Sequence, residues 1–450
     1  MTLPRDLGDG LTLRRGRLAD ADALAEFIAD VLRQQDAPEP NHSLGSWTRD
    51  LMTGRHPWSR PEDDALIVED AQGRIVSAGM LITQTLSFAG TIIQAGQPEL
   101  IGTSPAYRGR GLVRTLFEMF HRWSAERGHV MQFIAGIPWF YRQFGYEMAI
   151  QRGGGPVIAV DLLPAAQPDA GFRMRPFATA DAAFTARLDR EACQRYLISV
   201  PRDEALWRYE IEGRSAASAQ RQMWRIVERS DGHPVAVVSH APELDGSVLA
   251  VTTFEVAPGV PWRPVWIAVV HELREEFARR LGASSLTAFG FWWLGRQHPL
   301  YQVVRLTDFR RPGAVYTRVP DLARFLTVVA PVLERRLAAS PMAGWSGELR
   351  LGFYREGGVA LGIRDGAFER ASLWRTSLDV VGQEMGRPSQ DRGRADALLP
   401  GLTFQQLLFG SRMLDDLEFA FPDCIVRTGE ARALLSAFFP RQASDVWPVV

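Results

Sequence analysis

The chain has 450 residues, 51 Lys+Arg against 52 Asp+Glu, a net charge of −1 and 46% hydrophobic residues. That composition supplies real cores and excludes a disordered chain, and its balanced charge excludes a polybasic coat for nucleic acid or a membrane surface. At roughly 150 residues per domain the length predicts about three domains, and two cysteines, Cys193 and Cys424, exclude a disulfide framework.

Leu24, Phe27, Ile28, Val31 and Leu32 recur on one helical face, so a helix is predicted there, capped by Asp20 or Asp22. Residues 34–61 are rich in Pro, Asp, His, Ser and Trp and read as a loop with a short helix. Ala65–Val68, a turn at Gln72-Gly73 and a strand from Ile75 to about Gln84 predict a hairpin. Further strands are expected near Thr91–Ala95 and Glu99–Thr103. Leu112 to Arg127 predicts a helix, with Leu112, Leu116, Met119, Phe120 and Trp123 on one side and Gly128 as its stop. Strands over Val130–Ile134 and Gly145–Ile150 complete a mixed α/β unit, assigned to residues 1–155.

Residues 151–172 combine Gly, Pro and Ala around one short apolar strand and read as a linker. A second α/β pattern continues to about Tyr316 and is assigned to residues 165–317. Its opening, FRMRPFATADAAFTARL, echoes the earlier LTLRRGRLADADALAEF, which points to a duplicated fold. After Pro320 one helix carries Phe325, Leu326, Val329, Leu333 and Leu337. Strands over Glu348–Tyr354, Val359–Ile363 and Ala371–Trp374, a polar loop at 386–397, and helices near Phe404–Leu408 and Ala431–Phe439 follow. This makes a third, α+β unit over residues 318–450.

The segment with chemistry in it runs from Glu99 to Arg114, ELIGTSPAYRGRGLVR. A strand ends, an Arg/Gly turn follows, and a helix begins at once. Free N–H groups and the positive end of the dipole make the first turn of such a helix an anion cradle. Gly109 and Gly111 keep side chains out of the way, and Arg108, Arg110 and Arg114 add positive charge. A pyrophosphate suits this description. The same spacing recurs at Arg310-Arg-Pro-Gly313-Ala-Val315, but no helix follows there.

Downstream comes Trp139-Phe-Tyr-Arg-Gln-Phe-Gly-Tyr-Glu147. With it the sequence resembles the GNAT family of acyl-CoA N-acyltransferases. Arg108, Gly111 and, imperfectly, Val113 match the family's (Q/R)-x-x-G-x-(G/A) motif, and Tyr141 with Gly145 and Tyr146 matches its F-Y-x-x-x-G-(F/Y) motif. The organisation is similar to the three-domain Eis-type acetyltransferases. The resemblance implies two tandem GNAT-like mixed α/β domains followed by a domain like sterol carrier protein.

It further implies acetyl-CoA as co-substrate, held by backbone N–H groups from Arg108 through Gly109, Arg110, Gly111 and Leu112 to Val113. An oxyanion donor is expected near Ile101, Gly102 and Thr103, with Tyr141 as general acid. For the base, the resemblance offers two groups, the C-terminal carboxylate at Val450 and Glu99. Trp47, Trp139 and Phe140 are candidates for the acceptor pocket, with core packing as the alternative. A homo-oligomer, a hexamer in that group, is expected by the same resemblance.

Other motifs fail. His271-Glu272 begins like H-E-x-x-H, but position 275 is Glu, so no metal is expected. Before the expected helix Val269–Leu281, the turn Pro261-Trp-Arg-Pro-Val-Trp266 has prolines where a phosphate cradle needs N–H groups, so the second domain is expected not to bind CoA. No apolar run nears the roughly 20 residues of a membrane span. The first residues carry acids where a signal peptide needs an apolar stretch, so a cytoplasmic location is expected. A competing reading is a CoA-sensing protein that binds an apolar ligand in its third domain without turnover. The sequence contains no lysine, so an amine-acylating enzyme of this composition offers its own site no lysine side chain.

Overall fold

The computed structural model describes all residues except 1, 34–36, 153, 168–170, 296, 311–312, 355–356, 375–394 and 447–450. The first unit opens with strands β1 (Arg5–Gly8) and β2 (Leu11–Arg15) and helices α1 (Ala21–Val31), α2 (His42–Met52) and α3 (Pro61–Asp64). The expected short helix is thus an eleven-residue one, started where the Asn41 side chain accepts from the Leu44 N–H at 3.2 Å. Then come β3 (Ala65–Glu69), β4 (Ile75–Phe88), β5 (Thr91–Thr103), α4 (Leu112–Glu126), β6 (Met131–Ala135) and β7 (Glu147–Arg152). The two strands expected between Thr91 and Thr103 are one.

The second unit holds β8 (Gly155–Ala159), β9 (Phe172–Pro176), α5 (Ala182–Cys193), β10 (Ile198–Ser199), α6 (Glu204–Arg208), β11 (Met223–Arg229), β12 (Pro234–His240), β13 (Val248–Val256), α7 (Trp262–Leu281), β14 (Ala288–Phe291) and β15 (Asp308–Arg310). Helix α7 starts seven residues before the expected Val269. Pro264 lies in its first turn, where a missing N–H costs nothing. Strand β16 (Gly313–Arg318) follows.

The expected duplication is visible atom by atom. At the start of the first unit Arg14 Nε donates to Glu69 at 2.6 Å, while its Nη atoms fork onto Asp20 at 2.8 and 2.9 Å. In the second, Arg175 Nε donates to Glu228 at 2.6 Å and forks onto Asp181 at 2.7 and 2.8 Å. In both, the aspartate also accepts a backbone N–H three residues upstream, from Arg17 and from Ala178.

Sheet topology adds what the sequence pattern hides. Among the described residues, one sheet runs β1-β2-β3-β4-β5-β6-β16-β7 and another β9-β11-β12-β13-β14-β8-β15. The two orders superimpose. β5 lies parallel to β6, as β13 does to β14, and the next two pairings are antiparallel in each. The strand beyond β6 is β16, which follows the second unit in sequence. The strand beyond β14 is β8, which precedes the rest of that unit. The first sheet is therefore completed by a strand from beyond the second unit, while the same place in the second sheet is filled from the front of its own unit.

In the third unit, the single helix expected after Pro320 is two, Leu322–Val328 and Ala330–Ala338. Pro331, in the first turn of the second helix, has no N–H to continue the ladder. Strands β17 (Gly347–Gly352), β18 (Gly358–Arg364) and β19 (Ala367–Trp374), with two short strands at Ala397–Leu398 and Ile425–Val426, form its sheet. The polar loop expected at 386–397 lies largely outside the described residues. Phe325 and Phe409 of this unit stack edge-on with Phe88 of β4, so one apolar core runs from the first unit into the third.

Candidate active site

Strand β5 leads through a 3-10 turn, Pro105–Tyr107, to Gly109 and Gly111 at φ 76° and 77°. A Cβ at either would meet no atom of the chain within 4 Å, so within the chain the demand for glycine is conformational. Gly111 is the N-cap of α4, and no side chain caps it. The first-turn N–H groups lack intrahelical acceptors by geometry, and residues 108–111 are exposed. Arginines surround them. Arg108 Nε donates to the Thr103 carbonyl at 3.3 Å, Arg110 lies over the Tyr107 ring, and Arg114 Nη2 donates to Gln143 at 3.3 Å. The Tyr107 hydroxyl in turn donates to Asp70 at 3.1 Å, pinning the turn to the β3–β4 connection.

Upstream, the β4–β5 register slips. Ala78 faces Gly102 while Met80 faces Glu99, so Leu100 and Ile101 stand opposite Gly79 alone. Leu100 takes φ 52°. Such a bulge releases a residue from the ladder and re-aims the strand. Gly79 is required here, because its Cβ would stand 2.9 Å from Ile101 Cγ1. The isolated glycine in an apolar strand was the available sign of this kink. Gly102 and Thr103 are buried beyond it, and Thr103 Oγ1 lies 2.8 Å from Ser77 Oγ.

Tyr141 sits in a 3-10 turn, Phe140–Phe144, and is buried. Its aromatic cluster includes Phe117, Tyr146 and Tyr316, with Ile101, Val113, Phe140 and Phe144 packed against it. Ile101 beside the bulge, Val113 in the first turn of α4 and Tyr141 thus meet in one cluster. Burial first, then the nearby Glu99 charge, push the phenol pKa upward, so Tyr141 holds its proton across the working pH range. Tyr316 comes from the borrowed strand β16. Its hydroxyl accepts the Trp139 N–H at 2.5 Å, and its ring lies 5.4 Å from that of Tyr141. Nothing in the local motif signals that contact.

Glu99 is half-buried. Its Oε2 accepts from Gln97 Nε2 at 2.6 Å and its Oε1 from the Leu100 N–H at 3.3 Å. Trp47 lies in the core with 5% exposure, although its indole N–H has no acceptor among the described residues. Trp139, at φ 70°, is 71% exposed with the Arg142 guanidinium over its ring, and Phe140 is half-buried beside Tyr141. Val450 lies outside the described residues. The tail leading to it is bonded through Leu197 N–H to the Ala443 carbonyl and Asp445 N–H to the Ile198 carbonyl. Ile198 and Ser199 pair with Phe88 and Ser87, so the tail heads back along β4 towards Gln84.

His271 and Glu272 have structural partners, the Pro164 carbonyl and the Met174 N–H. Among the described residues no three His, Cys, Asp or Glu side chains could hold a metal ion, and no helix is long and apolar enough to cross a membrane.

Residues 12–149 match the family model described as an acetyltransferase (GNAT) domain. No curated protein matches the chain in sequence. Among solved structures, a probable N-acyltransferase from Enterococcus faecalis is 13% identical with a TM-score of 0.64, covering 96% of this chain and 97% of that one. A GCN5-related N-acetyltransferase from Kribbella flavida is 17% identical with a TM-score of 0.63, over 96% and 97% of the two chains. Eis1 from Mycobacterium abscessus is 15% identical with a TM-score of 0.58, over 98% and 99%. At such identities the likeness is one of fold, and it spans all three units.

Proposed function

We propose that this chain, whose residues 12–149 are an acetyltransferase (GNAT) domain, moves the acetyl group of acetyl-CoA directly onto a primary amine. One observation carries the reading: the anion cradle, the strand bulge and Tyr141 converge on a single cluster through Val113, Ile101 and Tyr141 itself. In this reading the N–H groups from Arg108 to Val113, backed by the arginines, hold the pyrophosphate. The N–H freed near Ile101 stabilises the developing oxyanion.

An alkyl ammonium, with a pKa of about 10.4, cannot attack until it loses a proton. The ammonium first sheds one proton to solvent; as the neutral amine nitrogen bonds to the thioester carbon, the proton it must still lose passes to the Glu99 carboxylate, and the C–S bond breaks. The departing thiolate, whose thiol pKa is about 8.5, takes the proton of Tyr141. The competing base is a carboxylate at Val450, a reading supported by the direction of the tail along β4. Trp139 and Phe140 then border the acceptor, which we take to be an aminoglycoside, a polyamine or a lysine-like amine.

The test is acetyl-CoA-dependent thiol release over a panel of such amines, together with calorimetry of CoA binding. Turnover with at least one amine class and its loss in Tyr141→Phe is the expected result. A chain that binds no CoA overturns the reading.

A further inference from the structure

Glu99 does not stand alone on β5. Gln97, two residues earlier on the same face, donates from Nε2 to Glu99 Oε2 at 2.6 Å. Gln84, from β4, donates from Nε2 to Gln97 Oε1. Both glutamines are buried, with 7% and 0% exposure. An amide can point either way, but this row has one consistent direction. An ionised carboxylate only accepts, so Gln97 must turn its NH2 towards Glu99 and its oxygen towards Gln84. Gln84 must then offer its NH2, and its own Oε1 is left buried with no donor among the described residues. Leaving a buried acceptor unmet costs on the order of 1–3 kcal/mol. The fold tolerates this at the far end of the row, while the end at Glu99 is satisfied.

We propose that Gln97 is a positioning residue for Glu99, and that Gln84 locks the Gln97 amide in the one orientation that favours an ionised carboxylate. The proposal rests on the reading of Glu99 as the base. The donated N–H fixes Oε2 and stabilises the anion, which keeps the carboxylate charged and aimed while the amine is deprotonated. Among the described residues, Tyr141, from the turn after β6, feels this charge, and the Tyr316 ring of β16 lies beyond it. Where α1 packs on β5, the groups that meet Gly102 are the apolar Val31 and Leu32.

The experiment is the pH profile of kcat/KM for the amine, with acetyl-CoA saturating, in Gln97→Leu and in the double variant Gln84→Leu/Gln97→Leu. The double variant removes both amides and so leaves no orphaned donor to unfold the chain. The acid limb of the profile should move up by about one pH unit in both, with KM for acetyl-CoA unchanged. Gln84→Leu alone should move it by less, in the same direction. A folded double variant whose limb stays in place, beside an inactive Glu99→Gln, overturns the positioning role and leaves the base assignment standing. Full turnover in Glu99→Gln overturns both.

Discussion

The first and second units share one topology and one ion-pair clamp, yet they differ where a strand hands over to a helix. In the first, Thr103 leads through an exposed Arg/Gly turn to a helix whose first N–H groups are bare. In the second, Val256 leads through Ala-Pro-Gly-Val to Pro261 as N-cap of α7, with Pro264 in its first turn. Prolines there supply no N–H. Gly259 keeps a left-handed φ of 78°, so the turn survives while its donors are lost. The cleft beside it differs too. The space between β13 and the segment after β14 is lined by Asp189, Glu255, His298 and Asp445, the last supplied by the tail. A fold can be kept whole while its cradle is dismantled by a few prolines and its cleft is plugged by another segment.

Paired substitutions sharpen this contrast. The largest effect is expected at the tyrosines. Tyr141→Phe should lower kcat by about 10²-fold or more with CoA affinity intact. Tyr301→Phe, in the corresponding turn of the second unit, should change it less than about twofold. Steady-state kinetics of both variants reads the difference, and equal losses would erase it.

Next come the glycines. Gly111→Ala forces a left-handed alanine at about 1–2 kcal/mol, which should weaken CoA binding roughly tenfold by calorimetry. Gly259→Ala carries similar strain and should leave CoA binding untouched. Third, because burial pushes the Tyr141 phenol pKa upward, the rate should keep rising as the amine deprotonates and should not turn down near pH 10. A downturn there that vanishes in Tyr141→Phe would place the phenol's titration in the ordinary range.

The smallest effect belongs to Asp445. Burial, then Glu255 and Asp189 opposed by Arg202 and Arg195, raise its pKa to about 7. A carboxyl raised in the folded state stabilises fully below its ordinary pKa of 3.8, and that stability is lost as pH rises through about 7. Relative to Asp445→Asn, the unaltered chain should therefore lose roughly 2 °C of melting temperature between pH 5 and 7.5. Parallel melting curves for the two would contradict this.

What was legible in the sequence was local. Helices α1 and α4 follow from their apolar spacing, and the cradle from a strand, glycines and a helix in immediate succession. The Arg14 and Arg175 clamps show through as an echo of residue types. What was hidden depends on distant partners. No window around Tyr141 contains Tyr316, which stands behind it. The fusion of two expected strands into β5 turns on the kink at Leu100 opposite Gly79. The row from Gln84 to Glu99 reads as scattered polar residues until two strands lie side by side. The prolines before Val269 read as a turn in the sequence, though the first turn of a helix accepts them, and α7 begins at Trp262.

The late place of β16 in the chain also sets a clock. β6 and β7 are complete by Arg152, but the strand that fills the gap between them begins at Gly313. At about 5–20 residues per second, a ribosome takes roughly 8 to 32 seconds to cover that interval. Through it the sheet that carries the cradle has two unsatisfied edges, an open template for other strands. In the second sheet it is β8, finished at Ala159, that waits, for β14 and β15 begin only at Ala288 and Asp308. The order of synthesis thus completes the second sheet at Arg310 and the sheet with the cradle at Arg318, while the tail that supplies Asp445 to the second unit's cleft is made last.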